Sequence, residues 1–237
     1  MPIVDLVVIP KPEQINTTSG RLYRIPGSNN YYPSVSTILG SRPNVHIEQW
    51  KKRVGEVTAA KISKAATDSG TLVHDSIEKF ILTGCDPQFS MFRTRERDVY
   101  YGIKDYISSL DKVFCLETAM WSDKLRVAGT VDCAAYIDGV PTVIDWKTSK
   151  FPKNKEDIHH YFEQAAAYAL MIYERTGIAI SDISICMMVY EMPNDPLIFK
   201  AKVKDHLQSF LDLRNSFDTS KQAKELIHQC ELLSSNG

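Results

Sequence analysis

The sequence predicts an α/β fold with one central mixed β-sheet flanked by helices. Three observations carry that expectation. Helical and strand-like segments interleave in the order helices, three strands, helix, two strands, helix, which is the pattern of a sheet covered by helical layers. The strand segments VFCLETAMW, LRVAGTVDCAAYI, VPTVIDWKT, ISICMMVYE and LIFKAKV are apolar runs of strand length. Asp138-Gly139 joins the second and third of them, and this dipeptide favours the mirror-image turn that hairpins use. A chain of 237 residues, 43% hydrophobic and 24% charged, can bury a core without disulfides or metals.

Residues 1–20 form an N-terminal extension, and residues 21–237 form a single domain. Its parts are a mostly helical segment over 21–110, a sheet core over 111–203 and a C-terminal helix over 204–237. Between Gly20 and Tyr32, RLYRI and YY form a short β-like pair around the turn-rich PGSNN. In YPSVSTIL a helix starts near Ser36, with Ser34 as its cap. From Pro43 to Ser69 the chain is polar and helix-friendly. In GTLVHDSIEKFILTG, Gly70 and Thr71 mark a helix start and Gly84 its stop. Residues 92–110 form another amphipathic helix, with Arg93, Arg95 and Arg97 near its beginning. After the first three strands a helix runs from about Asp157 to Thr176, and after the last two a single long helix runs to about Ser234.

Lys and Arg total 28 against 29 Asp and Glu, a net charge of −1, which excludes a histone-like or tail-driven nucleic-acid binder. A local basic surface remains open. Between Arg42 and Lys64 stand six basic residues and two acids, an excess of +4. By itself this is either a solvated helix face or a phosphate-facing one. The five cysteines, Cys85, Cys115, Cys133, Cys186 and Cys230, are odd in number and hold no CxxC pair, which excludes a disulfide framework and a zinc ribbon. Cys115, Cys133 and Cys186 sit in apolar runs, as buried reduced thiols do, and fit a cytosol-like compartment. The N-terminus carries neither a signal peptide nor a transit peptide, and no apolar run approaches the roughly 20 residues of a bilayer span. The expectation is a cytoplasmic protein without membrane partners.

The strongest chemical constellation is Asp132, Asp145 and Lys147. Asp145 and Lys147 lie two apart in VIDWK and share a strand face with Val143, where the strand end leaves the core. The tight Asp138-Gly139 hairpin makes Asp132 a near neighbour. A salt bridge accounts for Asp145 and Lys147 but not for a third charge beside them. Two close carboxylates repel, and a divalent cation such as Mg²⁺, which takes one or two carboxylates plus water and phosphate oxygens, removes the repulsion. Two helical pairs accompany this set: His74 with Glu78, and Gln164 with Tyr168, each four apart and on one helix face. Taken singly, each is an ordinary feature of an amphipathic helix.

Together the pieces resemble one family. GTxxHxxxE (Gly70–Glu78), a glutamate-bearing strand (Glu117), GxxD (Gly129–Asp132), DWK (Asp145–Lys147) and QxxxY (Gln164–Tyr168) follow in the motif order of RecB-like nucleases of the PD-(D/E)XK superfamily. From about Arg21 to Val203, YPSVSTIL, a Trp-containing basic helix, the His motif and DWKTSKFPK look like the mitochondrial genome-maintenance exonucleases and their bacteriophage relatives. The resemblance implies a restriction-endonuclease-like core and a metal-dependent DNA exonuclease using Mg²⁺ or Mn²⁺. It implies His74, Asp132, Asp145 and the Trp146 carbonyl as metal ligands and Lys147 as catalytic. Gln164 and Tyr168 would support the site and contact DNA, with Glu117 as the variable first acid. Ser34, Ser36 and Thr37 match a DNA-contacting segment. Lys51, Lys52 and Arg53 upstream, and Thr148, Ser149 and Lys150 after the catalytic lysine, complete the DNA-facing set. The missing transit peptide suits a bacterial cell or a phage-infected host, and the missing cysteine cluster excludes an iron–sulfur cluster.

The function expected is removal of nucleotides from free DNA ends, with single strands preferred because the helical region Arg42–Ser69 arches over the site. Replication or recombination proteins are the expected partners beside DNA. Two alternatives stay open: a structure-specific endonuclease of the same fold, and a catalytically silent DNA-binding or assembly module.

Overall fold

The computed structural model describes residues 1–235, with side chains as far as Gln229, so the Cys230 thiol lies outside the described residues. A six-stranded mixed sheet forms the centre. Its strands are β1 (Ile3–Val4), β5 (Lys112–Ser122), β6 (Val127–Ile137), β7 (Val140–Ser149), β8 (Asp182–Val189) and β9 (Met192–Lys202), in the spatial order β1-β5-β6-β7-β8-β9. β5, β6 and β7 are antiparallel neighbours, β7 and β8 are parallel, and β9 returns antiparallel to β8. The β6–β7 turn has positive φ at Asp138 (50°) and at Gly139 (75°), the mirror-image geometry expected of that dipeptide. The parallel β7–β8 pair needs a crossover. A short 3₁₀ turn (Glu156–Ile158) and α5 (His159–Thr176) supply it.

Helices cover both faces of the sheet. On one face α5 lays Ala165, Ala166, Ala167 and Ala169 against Val131, Ala134, Val143 and Ile185; the small side chains let the helix sit close to the strands. α1 (Val35–Leu39) and α6 (Val203–Phe217) extend this layer. On the other face α3 (Glu56–Thr83) and α4 (Thr94–Ser108) bury Val73, Ile77, Ile81, Val99 and Ile103 against Cys133, Ile144, Trp146 and Cys186. Cys115, Cys133 and Cys186 are buried thiols, as their apolar surroundings predict.

Several expected boundaries move. Residues 1–20 are not a separate extension. Ile3 and Val4 pair with β5, and β2 (Glu13–Thr17) pairs with β3 (Gly20–Arg24), which pairs in turn with β4 (Tyr31–Pro33). The helix expected to start at Gly70 is the second half of α3, which runs unbroken for 28 residues to Gly84. The long C-terminal helix is two helices, α6 and α7 (Lys221–Ser235). Asp218, Thr219 and Ser220 separate them, and the Ser220 hydroxyl accepts from the Ala223 amide at 3.0 Å. Ser34 caps α1 as expected, accepting from Thr37 N–H at 2.9 Å. Among the described residues, no helix is long and apolar enough to cross a membrane.

The span from residue 43 to residue 68 links the two helical layers. Its first helix, α2 (Val45–Val54), buries no residue. At one foot Arg42 forms a two-pronged ion pair with Glu163 of α5, with Nη2 2.8 Å from Oε1. At the other foot Gly70 packs against Thr148 at the end of β7, where an added Cβ would lie 3.3 Å from Oγ1. The helical span therefore passes from one face of the sheet to the other beyond the carboxyl end of β7.

Glu163 is completely buried, and Arg42, Ser209 and His159 surround it. Burial alone would raise its pKa, but the bonds from Arg42 and Ser209 hold it below its ordinary value. A carboxylate lowered in this way contributes stability above the ordinary pKa of 4.5, and that contribution disappears as pH falls through the lowered folded value. Glu163→Gln is expected to lower the unfolding free energy by about 2 kcal/mol at neutral pH. The difference from wild type should close in acid, as measured by urea unfolding at a series of pH values.

Candidate active site

The site is built where β6 and β7 separate. Their ladder ends at Cys133–Ile144, whereas β7 continues in register with β8 as far as Ser149. In the notch this leaves, Asp132 turns to the β7 backbone and accepts from Trp146 N–H at 3.0 Å. The carbonyl of the same residue meets His74 Nε2 at 2.9 Å. A carbonyl only accepts, so Nε2 carries the proton, and in the neutral ring Nδ1 presents its lone pair. His74 Nδ1 lies 3.6 Å from Glu117 Oε1 and 3.9 Å from Asp132 Oδ2. Glu117 is aimed from the middle of β5 by a left-handed backbone, φ 42°, which is a strained conformation for a non-glycine residue.

One ligand atom from each of His74, Glu117 and Asp132 lies within 4.8 Å of the others, a group that could hold a metal ion. Asp145, expected in that group, lies beside it, paired with Lys147. Only 1% of its side chain is exposed, and Lys147 Nζ approaches its two oxygens at 2.7 and 2.6 Å. The salt bridge open at the sequence level is therefore formed, and Asp132 stands outside it. Oδ2 of Asp145 is buried and accepts no well-directed hydrogen bond despite the nearby ammonium.

The electrostatics follow from burial in a crowd of charges. Desolvation raises the Asp145 pKa, with Lys147 opposing and Asp132 adding to the rise. For Lys147, burial disfavours the ammonium, but Asp145 and Asp132 outweigh it and raise the pKa. For His74, burial is again outweighed, here by Glu117 and Asp132, and the imidazole is pushed above its ordinary value. Glu78, one helical turn beyond His74, is raised by burial and by the neighbouring Glu117 and Asp75. Beside the cluster, Thr71, His74 and Glu78 of α3, Glu117 of β5 and Tyr23 of β3 line an open cleft of about 780 Å³.

Gln164 and Tyr168 are joined, Nε2 donating to the phenol oxygen at 3.0 Å. Tyr168 is buried, and burial together with the Asp132 charge keeps its hydroxyl protonated. Two supporting residues were given no role of their own by the sequence reading. Gly129 of the GxxD motif leaves room for Tyr168, because a Cβ there would stand 2.8 Å from the ring carbon Cε1. Tyr161 holds its ring 5.0 Å from Lys147 Nζ. Its position three residues before Gln164, on the same helix face, was the available signal.

The expected DNA-facing residues divide. Lys51, Lys52 and Arg53 are exposed on α2, and Lys150 is exposed just past β7. Thr148 is half-buried beside Gly70, and Ser149 donates to the Phe151 carbonyl at 2.7 Å. Ser34 and Thr37 do not reach the surface. They are 1% and 8% exposed, and their hydroxyls bond each other and the Arg21 backbone; only Ser36 faces outward. Their contribution to the fold is the α1 cap, a local need that the same residue types satisfy.

A mixed sheet covered by helices, with DWK at the exit of β7 and QxxxY on the crossover helix, resembles the arrangement of RecB-like PD-(D/E)XK nucleases. No protein-family model matches the chain. The chain is 29% identical over 141 residues to mitochondrial genome maintenance exonuclease 1 of Mus musculus and 29% identical over 145 residues to the Homo sapiens protein, in each case over 55% of this chain and 40% of the relative. The Xenopus tropicalis protein matches at 29% over 53% of this chain and 38% of its own length. The matched region thus spans about 40% of the length of these relatives. A solved structure from Eubacterium rectale with a provisional exonuclease name aligns at TM-score 0.38 and 11% identity, over 66% of this chain and 74% of that one.

If Gly129 is there to admit Tyr168, Gly129→Ala should cost about 1–3 kcal/mol, the range for overpacking. In a Tyr168→Ala background most of that cost should vanish. A double-mutant cycle by thermal or urea unfolding measures this coupling, and additive costs would separate the two residues.

Proposed function

We propose that the chain is a divalent-metal-dependent deoxyribonuclease that hydrolyses phosphodiester bonds from free ends, with single-stranded DNA preferred. The observation that carries this reading is the convergence of His74, Glu117 and Asp132 on the end of β7, beside a buried Asp145 and Lys147. The similarity to proteins named as exonucleases supports it, and so does the helical span passing over that strand end.

The donor set fits a cation: one imidazole nitrogen and two carboxylates within ligand reach, with a third carboxylate whose Oδ2 lacks a hydrogen bond. His74, Glu117, Asp132 and Asp145 would hold it, with the Trp146 carbonyl alongside. Imidazole among the donors favours Mn²⁺ relative to an all-oxygen site, while the carboxylates suit Mg²⁺ as well. When bound, such a cation polarises the phosphoryl group and makes water a better nucleophile at neutral pH.

The remaining chemistry belongs to the chain. The Trp146 backbone orients two ligand groups at once, fixing the His74 tautomer through its carbonyl and Asp132 through its N–H. Lys147 carries an ammonium, paired here with Asp145, that would face a phosphate oxygen, and Asp145 would be a further ligand to the cation. Tyr161 holds its ring 5.0 Å from that ammonium, and Gln164 fixes the Tyr168 hydroxyl by a hydrogen bond. The exposed cations Lys51, Lys52 and Arg53 would face phosphates on the arch, and partners in replication or recombination fit a DNA-end nuclease.

Hydrolysis of labelled DNA should require Mg²⁺ or Mn²⁺ and stop with EDTA. Asp132→Asn and Asp145→Asn should abolish it while DNA binding survives or strengthens, because each removes a charge that repels phosphate. A linear single strand should be degraded, whereas a covalently closed single-stranded circle should survive. Cutting of the circle would make the protein an endonuclease, and binding without cutting would make it a silent module.

Lys147→Ala should reduce kcat by roughly 10²-fold, the scale for losing a preorganised transition-state donor. The melting-temperature shift produced by Mn²⁺ should stay as in wild type, because lysine donates and does not ligate. An unchanged kcat at saturating metal would leave Lys147 only its salt bridge.

A further inference from the structure

Away from the ligand cluster, one surface has features that the chemistry above does not use. Met91 and Phe92, in the loop before α4, are 81% and 87% exposed. Two adjacent large apolar side chains standing this far from the core mark an interaction site. Phe92, Arg93 and Arg95 line a hollow of about 460 Å³ whose other wall is Ala65, Asp68 and Ser69 of α3. The Arg95 guanidinium lies 4.6 Å from the centre of the Tyr190 ring. Tyr190 N–H donates to the Ser149 carbonyl at 2.9 Å, two residues past Lys147. Next along the chain, the Lys150 ammonium sits 4.9 Å from the ring of the exposed Phe151. Phe92, Arg95, Tyr190, Lys150 and Phe151 thus form a continuous run of rings and cations that arrives at the end of β7.

Two of the acids near this run are engaged within the protein, while Glu191, next to Tyr190, is exposed. Asp68 pairs with Lys64 at 2.9 Å, and the buried Glu96 accepts from Ser69 Oγ at 2.6 Å and lies 3.4 Å from Arg93 Nη1. Arg95 and Lys150 are left facing solvent beside the aromatic rings. The cleft on the other flank of His74 has the opposite character, with Glu13, Asp75, Glu78 and Glu117 set against Lys11. A polyanion is repelled there and attracted here.

The exposed rings of Phe92 and Phe151, with Arg95 seated over the half-buried Tyr190 and Lys150 beside Phe151, suit a single strand, whose bases stack on aromatic faces while cations follow the phosphates; a duplex keeps its base faces hidden. We infer that the surface from Phe92 through Arg95 and Tyr190 to Phe151 is a second binding track, which carries single-stranded DNA to the end of β7. The inference rests on the nuclease reading and adds where the strand lies before it is cut.

The test measures fluorescence anisotropy of labelled thymidine oligonucleotides of about 4 and about 16 nucleotides, the range one such surface covers, in EDTA so that nothing is hydrolysed. Wild type should bind the long strand more tightly than the short one. Phe92→Ala combined with Arg95→Ala should lose about tenfold on the long strand and almost nothing on the short one, the scale of one stacked base. The kcat of the double variant on the short substrate with Mn²⁺ should remain that of wild type. Phe92→Trp should keep the long-strand affinity, with its indole emission quenched on binding. Unchanged long-strand affinity in the double variant overturns the track, as does an equal loss on blunt duplex. If wild type cuts DNA and the double variant binds it normally, the track alone falls; if wild type neither binds nor cuts, the nuclease reading falls with it.

Discussion

The Trp146 backbone is the joint on which the site depends. Its N–H holds Asp132 from the neighbouring strand, and its carbonyl holds His74 from a helix on the opposite face of the sheet from α5. The residues on either side of it are Asp145 and Lys147. The backbone of one residue, through two successive peptide units, therefore sets the relative positions of four functional side chains from three elements. It can do so only because the β6–β7 ladder stops at Cys133–Ile144 and frees the Trp146 N–H from strand pairing on that side. The Trp146 indole beside this backbone is buried and packs edge-on to Tyr106 at 6.2 Å.

Around that joint the protein keeps charge in places where charge is costly. Asp145 and Glu163 are both sealed from solvent, and each has a cationic partner. Removing one partner from such a pair leaves an uncompensated ion, which gives the pair more weight than a surface salt bridge. The two pairs do different things. Arg42–Glu163 fastens one foot of the helical span to the crossover helix. Lys147–Asp145 keeps a carboxylate and an ammonium ready at the strand exit, with Oδ2 still short of a hydrogen bond. The strained backbone at Glu117 points the same way: the fold tolerates a left-handed glutamate in mid-strand because pairing on both sides of it holds β5 in place.

Where local patterning is strong, sequence and structure agree. The Asp138-Gly139 hairpin, the Ser34 cap, the alternation that buries Val143 and leads out to Lys147, and the alanines of α5 are all visible as short-range signals. The misses have physical causes. β2 is polar and largely exposed, so no hydrophobic period marks it. Gly70 resembles a helix start because glycine weakens a helix interior by roughly 1 kcal/mol; it is kept inside α3 because a side chain would press on Thr148. Ser34 and Thr37 are capping residues by chemistry, and that role consumes the hydroxyls expected at DNA.

By itself the sequence determined the element types, the covered mixed sheet and the cast of charged residues, because caps, turns and periodicity act over a few residues. It also placed Asp145 beside Lys147 on one strand face, since that depends only on the pleat. Which carboxylates meet the imidazole was decided by tertiary structure. Glu117 joins His74 and Asp132 through a backbone kink in β5 and the stacking of three distant segments, while Asp145 is drawn to Lys147. Gly129 and Tyr168 are likewise 39 residues apart, and no spacing rule links them. Their fit exists only once β6 and α5 are pressed together, because contact between distant segments depends on the packing of whole layers.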